Sequence, residues 1–156
     1  MIIKKGKFST RVSNQRGIAV VECVIALPLV LFMILAVAEM GNAILQYNTL
    51  TQAVRGGARY FSDEAAGEDG VINVNATTLA NTANIVVYGA ITAGTPVLPG
   101  FSESNVTAAT ISSFEVSVLA QYDYQPIFFS GIPDLVGSGT AGGAFTMNAE
   151  VVMRIL

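Results

Sequence analysis

The chain has 156 residues, 52% of them hydrophobic and only 12% charged. That is enough for one modest domain beside an apolar segment, and it excludes a disordered chain. The net charge of −3 is unevenly spread: Lys4, Lys5, Lys7, Arg11 and Arg16 precede Gly17, and beyond it Arg55, Arg59 and Arg154 stand against all eleven acids, leaving −8. A body this acidic lacks the basic footprint of a nucleic-acid binder. With no histidine and one cysteine, Cys23, the chain has no intrachain disulfide, no His–Cys zinc site and no nucleophile–histidine pair.

Residues 1–17 are basic, then polar, and carry no apolar periodicity. They read as a leader or targeting segment outside the fold. Residues 18–38 follow as an apolar run with one formal charge, Glu22. About twenty apolar residues cross a hydrocarbon core of roughly 30 Å as a helix, so a transmembrane helix is predicted here. The basic flank puts the N-terminus in the cytoplasm and the residues beyond about 40 on the far side. A carboxylate inside such a helix is costly and calls for a functional partner. Cys23 reads as a small packing residue. Pro28 removes one N–H from the ladder; a kink there and simple tolerance in a membrane helix are both open readings.

The helical pattern continues past Glu39. Met40, Ile44, Tyr47, Leu50, Val54, Ala58 and Phe61 recur at steps of three and four, while Asn42, Gln46, Asn48, Gln52, Arg55 and Arg59 fall largely outside that stripe. One continuous helix over residues 18–61 is predicted, its second half amphipathic, with Gly56 and Gly57 weakening the last turns. Residues 62–70 are small and acidic. Asp63, Glu64, Glu68 and Asp69 offer oxygen ligands, but without the ordered spacing of a calcium loop they read as a solvated loop.

A short second helix is expected over residues 75–87, with Leu79, Ala83, Val86 and Val87 on one face. Thr77 or Thr78 is the expected cap, and the end at residues 85–88 is open to turning extended. Two prolines and two glycines make residues 94–101 a loop. The last third alternates with period two. Phe114, Val116, Val118, Ala120, Tyr122 and Tyr124 make one half-buried strand, and Phe145, Met147, Ala149, Val151, Met153 and Ile155 another. Residues 105–112 give a weaker third. The fold expected is therefore α+β: a long N-terminal helix, transmembrane and then amphipathic, packed on a small C-terminal antiparallel sheet with a short second helix. The expected segments are 1–17, 18–38, 39–61 and an exported domain over 62–156.

The run R-G-I-A-V-V-E, ending at Glu22, resembles a class III type IV prepilin cleavage site: a basic leader, a glycine, four apolar residues, then glutamate. Residues 47–60 (Y-N-T-L-T-Q-A-V-R-G-G-A-R-Y), residues 84–89 and the aromatics over 122–126 are similar to the TadE-like family of minor pseudopilins. The resemblance covers most of the chain after Gln15. It implies a pilin-like, non-enzymatic protein of a tight-adherence (Flp-type) pilus or related secretion apparatus. Gly17 would precede the bond cut by a prepilin peptidase, Ile18 would become the mature N-terminus, and Glu22, at the fifth mature position, would meet a terminal ammonium during assembly. Cys23 stands where family members often carry phenylalanine.

The implied partners are other pilins and pseudopilins, the prepilin peptidase, the inner-membrane assembly platform and membrane lipid, with no nucleic acid, no cofactor and no metal. The implied location is the bacterial inner membrane, single-pass, with the C-terminal domain periplasmic or extracellular. Two other readings stand beside this one. A conventional signal peptide cut after Ala38 would release a soluble binding domain, and an uncleaved anchor would leave Glu22 merely packed.

Overall fold

The computed structural model describes residues 16–66, 72–128 and 145–155. Its first element, α1 (Arg16–Ala65), is a single helix of 50 residues that passes through Pro28. The chain divides into two compact units, Met1–Val37 and Ala38–Leu156, so α1 supplies the described part of the first and the opening element of the second.

In the first unit every described side chain is exposed, and most are large and apolar. Among the described residues nothing covers this surface, and an apolar face of that extent calls for a cover other than water.

In the second unit α1 is followed by α2 (Ala76–Tyr88), a single 3₁₀ turn at Glu103–Asn105, and three strands: β1 (Val106–Ser112), β2 (Glu115–Tyr124) and β3 (Phe145–Arg154). The sheet is antiparallel in the order β1-β2-β3. In its register Val118 lies opposite Ala108 on one side and Val151 on the other, and Tyr124 opposes Phe145. The central strand buries Val116, Val118, Ala120, Tyr122 and Tyr124. Against them pack Leu50, Val54, Ala58 and Phe61 of α1 and Val86 and Val87 of α2. Leu98 and Phe101, from the loop of residues 94–101, complete this core. The α+β class expected from the sequence is the class observed.

Several boundaries and faces differ from expectation, each for a physical reason. The helix α1 runs one turn beyond Phe61 and takes in Asp63 and Glu64, because Ala65 reaches the core and anchors that turn. Of the expected acidic loop, Glu68 and Asp69 lie outside the described residues. The cap of α2 is Asn75, not a threonine: its Oδ1 accepts from the Thr78 N–H at 2.7 Å. The helix stays regular through Tyr88, because Gly89, at φ 72°, closes it in the left-handed conformation that favours glycine, its N–H reaching the Ile85 carbonyl.

The buried face of α2 is Thr78, Thr82, Val86 and Val87, while Leu79 points outward. Thr82 is tolerated inside because its hydroxyl donates to the Thr78 carbonyl at 2.7 Å. Phe114 sits in the hairpin turn before β2 and is 57% exposed, and Phe145 is exposed as well.

The largest difference concerns α1 between residues 39 and 50. There the half-buried positions are Glu39, Asn42, Ala43, Gln46 and Thr49, and the expected apolar stripe of Met40, Ile44 and Tyr47 faces outward. From Leu50 onward the helix buries the apolar face the pattern implies.

Candidate functional site

Two places among the described residues bear on function. The first is the foot of α1. Helix begins at Arg16, so the Gly17–Ile18 peptide lies in the first turn, where backbone N–H groups have no intrahelical acceptor. A Cβ added at Gly17 would meet nothing within 4 Å. Glu22 stands four residues after Ile18 and therefore on the same helical face, one turn on. It is exposed among Ile18, Val21 and Ile25, and no described side chain partners its carboxylate. The helix thus puts Gly17, Ile18 and Glu22 on two consecutive turns.

The second place opens the second unit, at the first charge after the apolar run. The Glu39 carboxylate accepts from the Tyr124 hydroxyl at the end of β2. It also accepts the Ile127 N–H on Oε1 and the Phe128 N–H on Oε2, each at 3.0 Å. Asn42, one turn on, donates its Nδ2 to the Tyr124 oxygen at 3.1 Å. Both carboxylate oxygens are engaged, and the tip that follows β2 is tied to the helix through its backbone.

The Tyr124 hydroxyl holds the Glu39 carboxyl below the ordinary glutamate range, and the two N–H donors add to this against the opposing effect of burial. Burial, then Glu39, pushes Tyr124 upward, so the pair is a neutral phenol donating to a carboxylate at every physiological pH. A third cluster has the same chemistry away from these two: Tyr88 donates to Glu103 at 2.5 Å, which lowers Glu103 and raises Tyr88.

A lowered folded-state pKa stabilises the fold above the ordinary glutamate value. That contribution disappears as pH falls through the folded value. Glu39→Gln is therefore expected to weaken the second unit at neutral pH and to match the wild type once the wild-type carboxylate is protonated. Urea midpoints measured down the acid limb check this; a gap between the two proteins that is the same at every pH would remove the carboxylate from the account.

Sequence reasoning treated Glu39 only as the end of the apolar run and missed its role. The signal was present in part, as a lone acid at a span boundary and a tyrosine-rich strand ending in proline. What it lacked was the partner, since the bonds join residues more than eighty positions apart.

The arrangement is that of an α+β protein built on one long helix, bare and apolar at its foot and polar where it meets its sheet. The family model described as TadE-like protein matches residues 17–59, from the glycine at the foot of α1 to Arg59 on its core-packed half. The match is confined to that helix, where it agrees with the resemblance carried by the N-terminal motif. No curated protein and no solved structure matches the chain. The family points to a protein associated with the components of a Tad pilus. The apolar part of α1 is long enough to cross a membrane.

Proposed function

We propose that the chain is a minor pseudopilin that takes part in assembling a tight-adherence (Flp-type IVb) pilus or a related secretion apparatus. It inserts with its basic end in the cytoplasm, is cut after Gly17 by a prepilin peptidase, and acts without catalysis. The observation that carries this reading is the exposed apolar run of α1 over residues 18–38 with Glu22 as its single charge, within the family-model match over residues 17–59.

The chemistry explains why processing and assembly would be linked. A carboxylate in an apolar zone is costly without a cationic partner. Cleavage after Gly17 creates an ammonium on Ile18 in the same zone, available to a Glu22 of the same or a neighbouring subunit. The uncut chain has no such group there. A non-enzymatic role is supported by the acids of the sheet: Glu115, Asp123 and Glu150 lie on its exposed side, and Asp123 accepts from Thr146 at 2.6 Å. The second unit would contact other pilins and the inner-membrane assembly platform.

Against a soluble domain cut after Ala38 stand the apolar run, longer than a usual signal core, and Glu22 within it. The test is the N-terminus of the mature protein from native membranes, read by intact mass. Ile18 is expected. A start at Glu39 would replace the reading with an exported soluble domain, and an intact Met1 with a simple anchor. In cells, Glu22→Gln is expected to spare membrane insertion and to cut surface piliation several-fold; full piliation would remove Glu22 from assembly.

A further inference from the structure

Residues 125–128, the tip after β2, join three properties that no assignment above uses. Ile127 and Phe128 are 62% and 53% exposed, although both are large and apolar. Their backbone N–H groups are already satisfied by the two oxygens of Glu39, at 3.0 Å each, and Pro126 has no N–H to satisfy. Nothing in residues 125–128 is charged.

Backbone enters a water-poor region only when its polar groups already have protein partners. An exposed loop of a soluble domain has no need of that, since water would serve the same donors. The acceptor for both N–H groups is Glu39, the first charged residue after the apolar run and, by chain connectivity, one residue beyond the proposed span. A neutral tip with an aliphatic and an aromatic side chain bound to that residue has the chemistry of the lipid interface, where aromatic residues collect and apolar side chains dip below the headgroups.

We infer that Ile127 and Phe128 insert into the surface of the bilayer that α1 crosses, with Glu39 serving as the bracket that fixes their depth. This rests on the membrane-spanning reading of residues 18–38. The lipid face is zwitterionic, because a body of charge −8 gains nothing from anionic headgroups. The tip would then be a second point of membrane attachment beside the helix.

The chain has no tryptophan, so a single introduced one reports without background. The full chain is reconstituted in phosphatidylcholine vesicles carrying bromine near either the headgroup end or the methyl end of the acyl chains. Three reporters are compared. Phe32→Trp reads the span. Phe128→Trp reads the tip, with Ile127→Trp as a second tip reporter should the first disturb folding. Phe114→Trp is the control in the hairpin at the other end of β2, roughly 33 Å from the tip at the rise of a strand.

The expected result is a blue-shifted Phe128→Trp emission that loses most of its intensity to the headgroup-end bromine, with the Phe114→Trp signal red and unquenched. Tip reporters that behave like Phe114→Trp, while Phe32→Trp is quenched, overturn the inference and leave the span intact. Quenching at neither Phe32→Trp nor the tip overturns the span and the inference with it. A blue-shifted but unquenched tip means that protein, such as a second copy, covers it, and this too overturns the inference.

Discussion

Tyr124→Ala is expected to lower the unfolding free energy of the second unit by about 3–5 kcal/mol, the usual cost of deleting a large buried aromatic ring. Tyr124 is 1% exposed. Its ring packs on Phe145 with centroids 5.2 Å apart, on the strand register that pairs the two residues. Its hydroxyl is the node between Glu39 and Asn42. Alanine would leave a cavity at the end of the sheet and two polar groups of α1 without their partner. Tyr124→Phe separates these losses: it keeps the ring, removes the hydroxyl, and should fall between alanine and the wild type. Its deficit should shrink in acid, where a protonated Glu39 no longer gains from a phenolic donor. Denaturant midpoints by circular dichroism, in a mild detergent, read all three proteins. Equal losses for Tyr124→Phe and Tyr124→Ala would mean that ring packing contributes nothing, contrary to the burial.

The same node explains what the sequence could and could not convey. Period-two alternation located β2 and β3 and chose their buried faces, because a strand has only two faces and the residues on them differ in kind. The long helix was also legible, since a run without charge beside a basic flank has few other readings. Residues 39–50 misled. There the apolar residues Met40, Ile44 and Tyr47 lie outward and the polar Glu39, Asn42 and Gln46 inward. A hydrophobic stripe identifies the core face only when polar residues find no better use inside. Glu39 finds two N–H groups and a phenol, and Asn42 finds the same phenol, so the usual cost of turning them inward is offset.

The reversal has a counterpart in α2, where Thr78 and Thr82 are buried in place of Leu79. The sequence marks threonine as polar, yet the Thr82 hydroxyl donates to the Thr78 carbonyl one turn back and the Thr78 hydroxyl donates to Oδ1 of the cap Asn75, so each has a partner close by in the chain. In both helices the misjudged face carries polar groups with bonds that periodicity does not record, although the buried Oε1 of Gln46 has no partner among the described residues. The foot of α1 is different. Gly17, Ile18 and Glu22 were singled out by spacing and by a family likeness, and the helix aligns them on adjacent turns. Their chemistry begins with a bond being cut, so spacing conveys the order of the parts and the partner comes from another molecule or from processing.

The crossing of α1 and α2 gives the second large effect. Gly56 and Gly57 are neighbours in sequence and weaken the helix equally as isolated residues. Their surroundings differ. A Cβ on Gly56 would meet nothing within 4 Å, whereas one on Gly57 would lie 2.3 Å from Cγ2 of Val86. Val86 is fully buried, and its branched side chain is stiff at χ1, so it has no easy way to yield. Gly56→Ala is therefore expected to stabilise by about 0.5–1 kcal/mol through helix propensity. Gly57→Ala gains the same propensity and is nonetheless expected to lose about 1–3 kcal/mol net, because the two helices must part. The remedy is specific. Deleting the Val86 methyl groups leaves its Cβ at 3.7 Å and the Thr82 carbonyl oxygen at 3.5 Å from the new atom, both ordinary contacts. The double variant Gly57→Ala, Val86→Ala should then be less damaged than the two single losses added together. Strict additivity in that cycle would show that the helices do not meet at Gly57. Recovery would fix the point at which the two helices meet in the core of the second unit.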